Sequence, residues 1–325
     1  MSKTLFSRTV KAALGLGLGL AMGTSVAADY PVKPISLTVA YGPGGATDFQ
    51  ARIATMTAAE ALGQPVVIVN RAGAGGRVGW NWAVERGGKD GYDLIAYNLP
   101  HKIAQWTADA TVRYNADNII PLANWGSDPA VLFVSRNSPF NTVDDLVRFA
   151  RDNPGRVTVS GAGLHTGHHI AVLQLERAAD IKLNFLPAEQ GGVQALQFVI
   201  GGQVQAGFNN LSDVWRNQDQ LRVLAIAASE RDADFLPEVA TFRELGLDID
   251  DTSTNLRGIA AVKGTPPVVL DFLAERLPTA FNHPTVLSRL KDTGSPALVL
   301  GREDTAAVFA ERTRVIEDLL RDLGQ

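Results

Sequence analysis

Short apolar runs alternate along this chain with stretches in which apolar residues recur every three or four positions. That alternation predicts an α/β protein. Residues 35–40, Ile-Ser-Leu-Thr-Val-Ala, read as a strand and 46–61 as a helix. The run 65–69 reads as a short buried strand, 78–86 as a second helix and 93–97 as a third strand. This order implies a parallel sheet with helices on its faces. A second series follows residue 124, with strands at 131–135, 157–160, 181–186, 204–208 and 223–227, and helices at 143–152, 168–179 and 193–200. After the acidic stretch 248–255, strand character returns at 257–262. Pro266-Pro267 then opens a helix at its tolerated N-terminal position, and 302–323 reads as one long amphipathic helix. Two α/β halves with crossings near 125 and 255 account for the series: 29–125 plus 256–325 as a discontinuous first domain, and 126–255 as an inserted second one.

The N-terminal segment changes the expected compartment. Lys3, Arg8 and Lys11 precede an uncharged run, 12–26, rich in Ala, Leu and Gly, and Val26-Ala27-Ala28 offers small residues for cleavage. Residues 1–28 therefore read as a secretory signal peptide. The apolar run is short for a bilayer span, and its four glycines disfavour a stable helix. The expected location is the periplasm. There is no cysteine, which excludes a lipid anchor on Cys, a disulfide and a thiolate metal site. Residues 29–325 carry 27 basic and 34 acidic side chains, a net charge near −7, which argues against nucleic acid as a partner.

Two glycine-rich loops carry the candidate chemistry. The first, Tyr41-Gly42-Pro43-Gly44-Gly45-Ala46-Thr47-Asp48, follows the first strand, and the second, Ser160-Gly161-Ala162-Gly163-Leu164-His165-Thr166-Gly167, also joins a strand to a helix. Glycine lets backbone N–H groups approach a ligand, and a helix N-terminus leaves such groups unpaired and partly positive. Each loop is a candidate anion site, and the pair could clamp one anion across a cleft. Alternatively both are tight turns capped by Thr47 and Thr166. A third run, Gly73-Ala74-Gly75-Gly76, reads as a plain turn. No phosphate loop occurs, and the dinucleotide fingerprint begun by Gly161 and Gly163 fails at Thr166. His165 and His169 share a helical spacing that zinc ligands use, but no HExxH pattern and no nucleophile elbow accompany them.

At these residues the sequence resembles the tripartite tricarboxylate transporter receptors, the Bug proteins. The likeness rests on Tyr30 to Ile35, on Gly44-Gly45-Ala46-Thr47-Asp48 followed by Ala51-Arg52, and on Val69 to Gly76. Asp90-Gly91-Tyr92, Gly201-Gly202-Gln203-Val204, Leu224-Ala225-Ile226 and Pro237 to Phe242 with Glu244-Leu245-Gly246 continue it in order over nearly the whole chain. The resemblance implies a type II periplasmic-binding-protein fold, two α/β domains around a ligand cleft. It implies a carboxylate held by amides of both loops, and a membrane transporter of one large and one small subunit as partner. The ligand would be a mono- or dicarboxylate, aliphatic or aromatic. An exported sensor acting through a membrane signalling partner is the alternative.

The expected ligand-binding set is Tyr41, Gly44, Gly45, Ala46, Thr47 and Asp48, with Asn98 and His101 from an unusual loop. Ala162, Gly163, His165 and Thr166 from the second loop and Asn209 complete it. Asp48 is expected to shape its loop rather than touch the anion. His165 replaces a family glycine, and Asn209 replaces an acid that could hold an ammonium, so an amino-acid ligand is disfavoured. Neither an enzyme activity nor a cofactor or metal is expected.

Overall fold

The computed structural model describes residues 30–322; the signal-peptide reading of 1–28 lies outside them. The chain begins β1 (Ile35–Val39), α1 (Ala46–Ala54), α2 (Ala58–Leu62), β2 (Val66–Asn70), α3 (Arg77–Arg86), β3 (Asp93–Leu99), α4 (His101–Ala108) and β4 (Ile119–Asp128). It continues β5 (Ala130–Ser135), α5 (Val143–Asp152), β6 (Thr158–Gly161), α6 (Gly167–Ala179), β7 (Asn184–Pro187), α7 (Gly192–Ile200), β8 (Ala206–Asn210), α8 (Leu211–Trp215) and β9 (Leu221–Ala227). It ends with β10 (Asn255–Val262), α9 (Pro267–Phe281), α10 (Pro284–Asp292), β11 (Ala297–Leu300) and α11 (Arg302–Asp322).

Two mixed sheets result. The larger has the order β2-β1-β3-β10-β4-β11 and the smaller β7-β6-β8-β5-β9. In each, a central strand, β1 or β6, pairs in parallel on both sides. In each, the fourth strand runs antiparallel to its neighbours, β10 in one and β5 in the other. The loops leaving β1 and β6 are therefore topologically equivalent. Both face the same end of the sheets, where the chain passes from β4 through Pro129 into β5 and where β10 begins. Ligands of open α/β sheets bind at such carboxyl ends.

The local sequence explains these elements. Ile35, Leu37 and Val39 are fully buried in a strand covered on both faces. Thr142 and Asp145 form a capping box for α5, which buries Val143, Leu146, Val147 and Ala150. Helices cover both faces of the small sheet, one cluster built on Val159, Leu175 and Phe208 and another on Phe133, Leu196 and Val199. Burying each such large side chain contributes roughly 2 kcal/mol.

Three expectations need correction. The run 65–69 is not a buried strand: β2 is the sheet edge and leaves Val67 49% exposed. The helix drawn over 46–61 is two helices, because Thr55 turns its hydroxyl onto the Ala51 carbonyl and ends α1. The strand drawn at 181–186 starts later. Asp180 adopts φ 50°, and Ile181 N still donates to Glu176 O, so this stretch finishes α6.

Candidate functional site

The first loop is a rigid turn closed by one carboxylate. Gly44 has φ +82° and donates its N–H to Asp48 Oδ2 at 2.9 Å. Asp48 also receives Arg52 Nη2 at 2.9 Å and Asn70 Nδ2 at 2.8 Å, and that Asn70 nitrogen reaches the Tyr41 carbonyl at 3.0 Å. Burial works against the charge, but the bonds from Arg52, Gly44 and Asn70 hold the carboxyl below its usual range. Gly44 N–H is thus spent within the loop, and Asp48 shapes it from behind. Gly45 is the N-cap of α1, in extended backbone and without a side-chain cap, so the first N–H groups of that helix have no side chain to satisfy them.

The second loop is closed by imidazoles. Ala162 N donates to His168 Nδ1 at 3.1 Å and His165 N to His169 Nδ1 at 3.4 Å. An Nδ1 that accepts carries no proton, so both rings are Nε2–H tautomers. His168 Nε2 lies 3.3 Å from Asn210 Oδ1, to which it donates. Burial pushes His168 and His169 down to about 4, which keeps both acceptors in place at neutral pH. Thr166 caps α6 by accepting from His169 N, and its hydroxyl donates to Gly163 O at 2.9 Å. His165 has φ 52°, is half-buried, and packs its ring on His169; burial and then the positive charge of Arg77 hold it below its ordinary value.

Between the loops lies a cleft lined by Tyr41, Gly45, Ala46, Thr47, Asn98, His101 and Ala162 from the expected set. His168, Gly192, Asn210, Asp213 and Asn255 complete the walls. Gly44, Asp48, Gly163, His165, Thr166 and Asn209 stand behind or beside them rather than in them. Asn209 holds α7, its Nδ2 donating to Gly192 O at 2.8 Å. The space between these walls is about 20 Å3, room for a single water-sized group.

Helices α1, α4, α6 and α7 begin at this cleft, as does the short α8. Side-chain caps are lacking at α1, α4 and α7. Each N-terminus presents roughly half a positive charge. The two arginines near the cleft are already paired. Arg257, fully buried, pairs with Asp128 at 2.7 Å and also donates to Gln50 and Thr47. Asp128 in turn receives Ser212 N at 3.0 Å, so the pair ties the end of β4 to α8. Arg216 pairs with Asp213, whose carboxyl is raised by burial. Lys102 lies over the rings of Trp80 and Tyr114 and is driven toward the neutral amine by burial.

The third glycine run is more than a turn. Its carbonyl at Gly75 accepts from Tyr41 Oη at 3.0 Å and Gln105 Nε2 at 2.9 Å. A methyl group on Gly163 would sit 2.9 Å from Gly75 Cα, so the run abuts the second loop backbone to backbone. Gly76 packs as closely on Trp80, whose ring stands 5.7 Å from that of Tyr41.

Sequence reasoning missed His168, Gly192, Asn210, Asp213 and Asn255 as wall residues. A signal existed for α7: Gly191-Gly192 follows a strand as the two loops do. None existed for Asn210, Asp213 and Asn255, which reach the cleft from ends of the small sheet and from β10.

Comparison with known proteins finds relatives over nearly the whole chain. Protein BugT of Bordetella pertussis is 28% identical over 319 residues, covering 96% of this chain and 97% of its own. A protein of Pseudomonas sp. strain P51, from the tcbD-tcbE intergenic region, is 31% identical over 313 residues, covering 94% of this chain and 92% of its own. Among solved structures, MatC of Rhodopseudomonas palustris with bound malate superposes with a TM-score of 0.80 at 28% identity, over 90% of this chain and 100% of that one. The fold is that of the periplasmic binding proteins, two α/β sheets about a ligand cleft. Residues 50–324 match the signature of the tripartite tricarboxylate transporter family receptor, and the chain belongs to that family of solute-binding receptors, which are not enzymes.

Proposed function

We propose that this protein captures a small organic carboxylate in the periplasm and delivers it to a tripartite membrane transporter of one large and one small subunit. The observation that carries the reading is the meeting of the N-termini of α1, α4 and α7, all without side-chain caps, at a cleft whose neighbouring arginines are already paired. Such a site favours an anion by backbone N–H groups rather than by an ion pair. Gly45, Ala46 and Thr47 on one wall and Gly192 on the other supply these groups. The malate held by MatC supports the same class of ligand here.

The two sheets act as jaws in this reading, 29–125 plus 256–325 forming one and 126–255 the other. A ligand larger than the present space enters when they part, and the Asp128–Arg257 pair beside the crossing holds the pivot.

A thermal-shift screen of purified protein against mono- and dicarboxylates tests the capture step, since binding raises the melting point by mass action. Stabilisation by neutral sugars or amides and by no carboxylate would refute it. Uptake into vesicles carrying both membrane subunits should require receptor and ligand together. N-terminal sequencing of periplasmic protein should start at Asp29 or one residue earlier.

A further inference from the structure

We propose that the ligand is a hydroxycarboxylate, and that Asn98 and His101 are the residues that select its hydroxyl. The inference rests on the carboxylate reading above and adds the group beside the carboxylate.

Asn98 is fully buried near the end of β3 and lines the cleft. Its Nδ2 donates to Thr47 Oγ1 at 2.7 Å and to Asn255 Oδ1 at 3.3 Å. Turning the Asn255 amide over leaves an oxygen 3.2 Å from the same nitrogen. Asn98 is therefore held with Nδ2 toward α1, and its Oδ1 is a buried acceptor with no hydrogen-bond partner among the described residues. His101, three residues on, is also buried in the wall. Its Nδ1 accepts from Gly167 N at 3.4 Å, which puts the proton on Nε2. Burial holds this ring well below its ordinary value, so it remains a neutral donor. No described residue accepts from Nε2.

The wall thus offers one acceptor and one donor that the protein leaves unused. A hydroxyl answers both from one oxygen. A carboxylate or carbonyl oxygen would accept from His101 and leave Asn98 Oδ1 buried and unpaired. An ammonium would do the reverse and would lack a free carboxylate partner, because Asp213 is held by Arg216. Sites built to hydrogen-bond a hydroxyl reject the analogue lacking it far more strongly than apolar pockets discriminate by size.

The test is calorimetric titration of the purified protein with matched acids: lactate against propionate, 3-hydroxybutyrate against butyrate, and malate against succinate. In the pair that binds best, the hydroxy acid should bind at least about tenfold tighter. Asn98→Ala and His101→Phe should each shrink that ratio to less than about threefold, with a much smaller change for the deoxy acid. Equal affinities in the unaltered protein would overturn the proposal whatever the variants do. A ratio untouched by both variants, melting as the parent does without ligand, would also overturn it. Carboxylates that bind without hydroxyl preference sink only this inference, whereas binding of none of them sinks the carboxylate reading as well.

Discussion

The loops after β1 and β6 hold equivalent places in two sheets that share a five-strand pattern, the larger carrying β11 in addition, yet they are fastened by opposite chemistry. The first is tied by a carboxylate: Asp48 gathers Gly44 N–H, Arg52 and Asn70. The second is tied by neutral imidazoles that accept backbone N–H groups at Ala162 and His165. A carboxylate fastening is charge-assisted and persists to low pH. An imidazole fastening works only while the ring is neutral. Topology fixes where the two loops meet, and local side chains fix the conditions under which each holds its shape.

The comparison breaks most visibly at the glycines. Gly44 and Gly163 both have positive φ, +82° and +108°, but a Cβ on Gly44 meets open space while one on Gly163 meets Gly75 Cα at 2.9 Å. Gly163→Val should hold the second loop away from the third glycine run and weaken ligand binding at least about a hundredfold. Gly44→Ala should cost only backbone strain, about 1–2 kcal/mol of stability, with binding reduced less than about tenfold. Titration calorimetry of both variants decides it, and similar losses would contradict the asymmetry.

Acid comes next. His168 and His169 stand near 4 in the folded protein against about 6.5 unfolded. The unfolded chain therefore binds more protons between these values, and stability falls as pH drops from about 6.5 toward 4. The loss approaches roughly 3 kcal/mol for each ring. Urea midpoints at pH 7 and pH 4.5 measure it. His168→Asn keeps an acceptor near the Nδ1 position and should flatten the slope. Asp48 behaves differently: its folded value lies below the usual carboxylate one, so its contribution is complete above about 4 and is lost only in stronger acid.

Asp48→Asn then sharpens the other side of the comparison. It removes the charge that binds Arg52 and one acceptor for Gly44 N–H, and should lower stability by about 2 kcal/mol near pH 7. An unchanged denaturation midpoint would show that the first loop does not depend on its carboxylate. The smallest effect belongs to His165. Because it holds φ 52° and stands outside the cleft walls, His165→Gly should raise stability by about 1 kcal/mol and leave affinity within about twofold. A large loss of affinity would instead make it a ligand contact, as its place in the second loop had suggested from the sequence.

Much of the fold was legible because periodicity reports burial on one face. Many of the strand and helix runs of both sheets, including all of α5, sit where the apolar pattern puts them. The missed elements lack such a pattern. β4 contains Pro121 and a polar tail through Asp128 and is held by β10, far away in sequence. α4 buries the polar Lys102 and Gln105, which break the apolar period, and His101, expected at the ligand from a loop rather than a helix. The glycine loops were legible because glycine is read directly from the sequence. Their partners were not: Asn210, Asp213 and Asn255 become wall residues only when β8, α8 and β10 meet. The Gly73 to Gly76 run shows the same limit, since only its contact with Gly163 distinguishes it from an ordinary turn.

That run also bears on how the protein can be observed. Trp80 is fully buried and lies against Gly76, beside the Tyr41 ring. Its indole is thus a built-in optical sensor on the surface that meets the second loop. Any parting of the two changes the surroundings of this chromophore, and its emission can be followed in stopped flow without a dye.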